Sequence, residues 1–271
     1  MTYCVALKLR AGLVLLADTR TSAGVDNIAV FRKLNVWSVP GERVMMTMTA
    51  GNLAITQAVM SLLQERVDNP VDGVDNIMTA PSLFRAAELV GEAMREVQGR
   101  YAAGLNAMSE SSVASIVFAG QRRGGKPRLF MIYAAGNFIE ATDDTPFFQI
   151  GEHKYGKPIL DRVISPDTSL EDGKTAVLLS MDSTLRSNLT VGMPLDLAIL
   201  PTDQFVLSEH RRIDPDDAQF HALSQVWSDL MKESFTRARQ QVAAIPERTE
   251  GARSVAQSQP LVLPPPVQQF A

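Results

Sequence analysis

One cysteine, Cys4, stands in the 271-residue chain, so no intrachain disulfide framework can form. Such sparing use of cysteine fits a reducing compartment, and the cytoplasm is the expected location. Histidine is also scarce. His153, His210 and His221 are scattered without metal-ligand spacing, and no metal or other cofactor is expected. No apolar run approaches the roughly 18 residues that span a bilayer, and no secretory leader is recognisable before the first strand-like segment. Neither membrane association nor export is therefore expected. Basic residues are not in excess: 26 Lys and Arg against 30 Asp and Glu give a net charge of −4, which carries no nucleic-acid footprint. The basic stretch Arg122–Arg128 lies between two strand-like runs and reads as an exposed hairpin loop. Internal repeats and a clear interdomain linker are both lacking.

What is present is an ordinary globular composition, 45% hydrophobic and 21% charged, on a chain long enough to bury a sizeable core. Strand-like alternation covers 2–9, 34–39, 43–49, 113–119, 129–134, 137–141, 147–150, 194–200 and 204–208, with an apolar run at 13–17. Helical spacing covers 53–67, 82–100, 152–163 and 170–185. Thr168 with Glu171 reads as a capping box, and Asp214-Pro215 as the cap of a last helix. The order is strands, two helices, strands, two helices, strands, helix. Two antiparallel sheets face to face, flanked by helices, would bury every apolar stripe. The expected class is therefore α+β, a four-layer αββα sandwich spanning residues 2–245. Residues 246–271 are rich in Pro, Gln and Ser and read as a tail, either disordered or docked on a neighbouring subunit.

The chemistry concentrates in the first 33 residues, MTYCVALKLRAGLVLLADTRTSAGVDNIAVFRK. A small residue after Met1 permits removal of the methionine, so the mature chain is expected to begin with Thr2. One residue then carries a hydroxyl and a free α-amine, and the amine can serve as base for the weak hydroxyl nucleophile. An α-amine with a reference pKa of roughly 7.7–8 is suited to that task. Residues 2–9 and 13–17 flank the short turn Arg10-Ala11-Gly12, and antiparallel pairing would bring Asp18 close to Thr2. Lys33 follows a polar loop and could return to the same place, where Asp18 would hold its charge and it would depress the amine pKa. Each residue has an ordinary alternative: Asp as a turn former, Lys as a surface charge. Gly51 stands where a strand becomes a helix, and its N–H is suited to an oxyanion; a plain turn with Asn52 as N-cap is compatible with this.

Thr2, the run Ala17-Asp18-Thr19-Arg20-Thr21-Ser22-Ala23-Gly24, Lys33 and Thr49-Ala50-Gly51 together resemble the proteasome β-subunit superfamily of N-terminal nucleophile hydrolases. MTYCVALKL, AGVDNI…FRK, AGNLAITQAV and IGEHKYGKPILDR resemble its bacterial branch Anbu, an ancestral β-subunit relative. The resemblance covers Thr2 to about residue 245. It implies a threonine peptidase with Thr2 as nucleophile, Asp18 and Lys33 in support, and the Gly51 N–H as oxyanion donor. It also implies Thr21 and Ser22 as the backbone against which an extended peptide adds as a strand.

Two departures stand out. The family's supporting serine is missing from Ile150-Gly151-Glu152-His153-Lys154, where Glu152 or His153 is the available substitute. A second supporting Asp/Ser pair maps onto Asp182 and Ser187, with a spacing of five rather than three. The alternatives are an amidohydrolase or acyl transferase on a non-protein amide, or a self-assembling scaffold with a weak or vestigial site. The partners implied are a peptide or unfolded protein and further copies of the chain in a ring or an open helical assembly; an unfoldase partner is left open. The side-chain pocket is expected near Arg20, Phe31 and Met46–Thr49.

Overall fold

A computed structural model describes residues 2–22 and 28–243. The tail expected at 246–271 lies outside the described residues. The chain divides into two compact units, one ending at Trp227 and the other starting at Ser228.

The first unit holds two five-stranded antiparallel sheets. One runs in the order β10 (Phe147–Gly151), β1 (Tyr3–Leu9), β2 (Gly12–Asp18), β11 (Leu195–Pro201), β12 (Glu209–Ile213). The other runs β5 (Leu34–Val39), β6 (Arg43–Gly51), β7 (Ala114–Arg122), β8 (Arg128–Ile132), β9 (Phe138–Glu140). A small ribbon pairs β3 (Arg20–Ser22) with β4 (Ile28–Val30). The helices are α1 (Leu53–Asp68), α2 (Leu83–Ala107), α3 (Lys157–Val163), α4 (Leu170–Ser187) and α5 (Ala218–Ala243).

Alternation along the strands builds the layers. Cys4, Ala6, Leu13 and Leu15 face Met46, Met48, Val117 and Ala119 across the gap between the sheets. The opposite faces of β1 and β2, with Tyr3, Val5, Leu7, Val14 and Leu16, pack on Leu160, Val177, Met181 and Phe220 of α3, α4 and α5. The outer face of the second sheet, with Met45, Ile116, Phe118 and Phe130, packs on Val59, Leu63, Val90 and Met94 of α1 and α2. The inner strands of both sheets are thus covered on two faces, while the edge strands β9 and β12 keep exposed residues, and the four-layer αββα sandwich follows from period-2 patterning with helices outside.

Several boundaries differ from expectation. Helix α2 continues to Ala107, through a stretch expected to be loop. The last strand lies at Glu209–Ile213 rather than 204–208, because Asp203 and Phe205 take positive φ and make that segment a turn. Helix α3 starts at Lys157, after a turn, not at Glu152. Ser169 caps α4 by accepting from the Asp172 N–H, while Thr168 Oγ1 accepts from the Ser165 N–H. Asp217, not Asp214, accepts the Phe220 N–H at the start of α5.

Candidate active site

The β1–β2 hairpin fixes the first half of the site. Its register pairs Cys4 with Ala17 and brings Asp18 to Tyr3, one residue from Thr2. Asp18 is fully buried, which would be costly for an unpaired carboxylate. Three donors reach it. Oδ1 accepts the Tyr3 N–H at 3.0 Å and the Lys33 ammonium at 2.6 Å, and Oδ2 accepts the Gly192 N–H at 3.2 Å. Burial pushes the Asp18 carboxyl above its ordinary range, and Lys33 with the two backbone amides pulls against that shift.

Lys33 is 3% exposed. Its ammonium donates to Asp18 and, at 2.7 Å, to the Arg20 carbonyl. An ammonium has three protons; the third has no hydrogen-bond partner among the described residues, and Lys33 lines the same cavity as Thr2. The loop after α4 closes this arrangement. Arg20 Nη1 donates to the Leu189 carbonyl at 2.9 Å, and Thr19 Oγ1 donates to the Pro194 carbonyl at 2.6 Å, so the two residues that follow Asp18 also hold the loop that supplies the Gly192 N–H.

Thr2 is 8% exposed and is held by its own carbonyl, which accepts the Glu152 N–H at 2.6 Å. Gly151, opposite Tyr3 on β10, makes that contact feasible. Its φ is +81°, and a Cβ there would sit 2.0 Å from the Thr2 oxygen. Beside it, Glu152 Oε1 accepts the Lys154 N–H at 3.0 Å and Oε2 accepts Asn188 Nδ2 at 3.2 Å. Asn188 Oδ1 in turn accepts the Thr190 hydroxyl at 2.6 Å. Of the two substitutes for the missing serine, Glu152 joins this network, whereas His153 is exposed.

Gly51 ends β6 with φ +104°. The Asn52 N–H donates to the Val113 carbonyl at 2.9 Å, continuing the register in which Gly51 faces Ala114. Antiparallel alternation therefore directs the Gly51 N–H away from β7. That edge is open because β5 begins only opposite Met48. The same alternation sorts Thr21 from Ser22. The Phe31 N–H donates to the Thr19 carbonyl at 2.9 Å, so Thr21 takes the bonded position opposite Ala29, and the Ser22 N–H and C=O point away from β4.

Thr2, Thr21, Lys33, Thr49, Gly51 and Gly151 share a cavity of about 470 Å³. Met46 and Met48 do not line it; they are buried between the sheets, on the other face of β6 from Thr49. Cys4 is also fully buried, and burial pushes its thiol up, so it offers no competing nucleophile.

The structure does not bring Asp182 and Ser187 to Thr2. Asp182 accepts the Ser224 hydroxyl at 2.7 Å and Arg186 Nε at 3.1 Å, on the face of α4 toward α5. Ser187 is exposed at the end of α4. The physical reason is helical phase: both residues lie on α4 itself, whereas the chain reaches the site only after leaving the helix, at Asn188–Gly192. Asn188, Thr190 and Gly192 escaped the sequence reading. A polar residue just past a helix end with glycine four positions later was the only signal for them. Among the described residues, no group of His, Cys, Asp or Glu could hold a metal ion, and no helix is long and apolar enough to cross a membrane.

Comparison with known proteins agrees with this fold. The family model "Proteasome subunit" matches residues 2–200. A search of the curated proteins found no match. Among solved structures, the Gly-1 mutant of Anbu from Hyphomicrobium sp. strain MC1 is 52% identical, with TM-score 0.82, covering 87% of this chain and 97% of that one. Anbu from Yersinia bercovieri is 47% identical, with TM-score 0.81, covering 86% and 97%. The Anbu complex from Pseudomonas aeruginosa, solved as a helical assembly, is 48% identical, with TM-score 0.81, covering 87% and 96%. With its buried Asp18–Lys33 pair set beside Thr2 in a two-sheet sandwich, this chain belongs to the proteasome subunit family and, within it, to Anbu.

Proposed function

We propose that this chain is a threonine peptidase whose nucleophile is Thr2, exposed by removal of Met1. The observation that carries the reading is the buried Asp18–Lys33 pair, with one ammonium proton that has no partner among the described residues, on a lysine that shares its cavity with Thr2. Thr2 Oγ adds to a peptide carbonyl and its proton passes to the Thr2 α-amine. The oxyanion is met by the Gly51 N–H, which its own sheet leaves unused. Collapse breaks the C–N bond, the amine product leaves with the proton, and the acyl group stays on Thr2 as an ester. Water, deprotonated by the same α-amine, then releases the acid. Lys33 keeps the α-amine neutral by repulsion and, held by Asp18, is itself kept from drifting. Glu152, oriented by Asn188, takes the place of the missing serine. The peptide is an extended strand laid along the open Ser22 edge. Asp182 and Ser187 have no part in this chemistry.

The chain works in the cytoplasm as an assembly of identical copies, and an open helical one is favoured by the form in which the Pseudomonas aeruginosa relative was solved. Likeness to that assembly also supports a second reading, a scaffold with an idle site. Thr2→Ala separates the two. On the peptidase reading it abolishes cleavage of an unfolded protein and leaves assembly intact; equal cleavage by wild type and variant would overturn it.

A further inference from the structure

The cavity at Thr2 carries a charge that the chemistry above does not use. Among the described residues, two charged side chains line it, Lys33 and Glu110. Lys33 is neutralised by Asp18 at 2.6 Å. Glu110 has no ion pair among the described residues. The remaining described lining is uncharged, and besides Thr2 four of its side chains, Thr21, Thr49, Thr56 and Ser111, are hydroxylated. The described lining therefore carries a net negative charge at Glu110, over walls that can accept hydrogen bonds.

The placement of Glu110 is fixed, although its side chain is exposed. It lies in the short connection between α2 and β7. Its own N–H donates back to the Leu105 carbonyl at 2.9 Å and closes the end of α2. Asn52 Nδ2 donates to the Ser111 carbonyl at 2.8 Å, and Gln98 Nε2 to the Ser112 carbonyl at 2.7 Å. The Asn52 N–H donates to the Val113 carbonyl at 2.9 Å. The connection is thus tied to the residue next to Gly51, and through it to the end of β6. Gly51 and Glu110 line the same cavity, so a substrate whose carbonyl meets the Gly51 N–H has its adjoining side chains in the space that Glu110 lines.

We infer that Glu110 is a specificity-determining residue of this site and selects substrates that carry a cationic side chain, guanidinium or ammonium, beside the scissile carbonyl. The inference rests on the peptidase reading for the word scissile, but the charge selection itself does not depend on turnover. An acidic side chain there would meet like charge and be rejected. Because Glu110 is exposed, the preference is modest and screened by salt: the usual worth of an exposed ion pair corresponds to at most about a fivefold preference.

The test has two arms, both on the full chain. In the first, two fluorogenic peptide amides that differ only in arginine or leucine at the cleaved position are compared by kcat/KM. Wild type is expected to favour arginine by about three- to fivefold at low salt, with the ratio falling toward one at about 0.5 M salt. Glu110→Gln is expected to bring the low-salt ratio to one; since only the ratio is read, any loss of folded protein cancels. A wild-type ratio of one, or a ratio unchanged in Glu110→Gln, overturns the inference while leaving the peptidase reading standing. In the second arm, agmatine binding to Thr2→Ala is followed by ligand-observed NMR, without and with Glu110→Gln. Binding lost in the double variant supports the inference even if no peptide is cleaved, in which case only the peptidase reading falls. Absent binding, or binding equal in both variants, overturns it.

Discussion

Replacing Lys33 by Met keeps the length and apolar stem of the side chain and deletes the ammonium. Asp18, fully buried, is left with the Tyr3 and Gly192 amides alone. Breaking a buried pair by removing one partner costs about 3–5 kcal/mol, because the other charge stays behind unpaired. In a unit of this size about 3 kcal/mol corresponds to a drop in Tm of roughly 6–12 °C. Asp18→Asn strands Lys33 instead, and turns an amide NH2 toward one of the backbone donors; its cost should be similar. The double variant removes both charges. It should be more stable than the sum of the two single losses implies by about 2 kcal/mol or more, since contacting charges couple strongly in such cycles. Turnover should be lost in all three. The assay is thermal denaturation of the four proteins side by side, with cleavage measured below the transition. Additive losses in the double variant would refute the claim that Asp18 and Lys33 form one buried unit. Wild-type turnover in Lys33→Met would refute its role at Thr2.

Four further outcomes follow. Burial raises the Asp18 carboxyl, so the ionised pair is present above that raised value and lost as pH falls; the acid limb of kcat should therefore lie above the ordinary carboxylate range of about 4. The same raised value has the opposite sign for stability: the native state binds the proton more readily than the unfolded chain, so the Asp18 contribution declines as pH rises through the window, measurable by denaturant titration across pH. Gly151→Ala would place a Cβ 2.0 Å from the Thr2 carbonyl at a φ of +81°, so it should abolish turnover and lower Tm, by circular dichroism and peptide assay. Asn188→Ala should lower kcat about tenfold by releasing Glu152, with KM little changed, whereas Ser187→Ala should leave both within about twofold.

The layer order was legible because it is written in periodicity. Tyr3, Val5 and Leu7 alternate with Cys4 and Ala6, and the two sets enter different cores. Asp18 was legible for a related reason: a short hairpin of known turn returns the chain to its own start. Lys33 needed the resemblance, since nothing local says where a polar loop comes back. The failures share a cause. Asn188, Thr190 and Gly192 act through loop geometry that no repeat encodes, and Asp182 looked suitable only because its helical phase, which turns it toward Ser224, is invisible in spacing from Ser187. The end of α2 was misjudged because its last turns, past residue 100, are mostly exposed and hold the core only through Leu105, too little to make an apolar stripe.

The central claim is that Thr2 presents a hydroxyl and a free α-amine together. Intact mass of the purified protein before and after a peptide epoxyketone tests both at once, because that reagent closes a ring only with the two groups on one residue. The account predicts a chain lacking Met1 that gains one inhibitor, mapped to Thr2 and absent in Thr2→Ala. A chain that retains Met1, or an adduct that persists in Thr2→Ala, would contradict it.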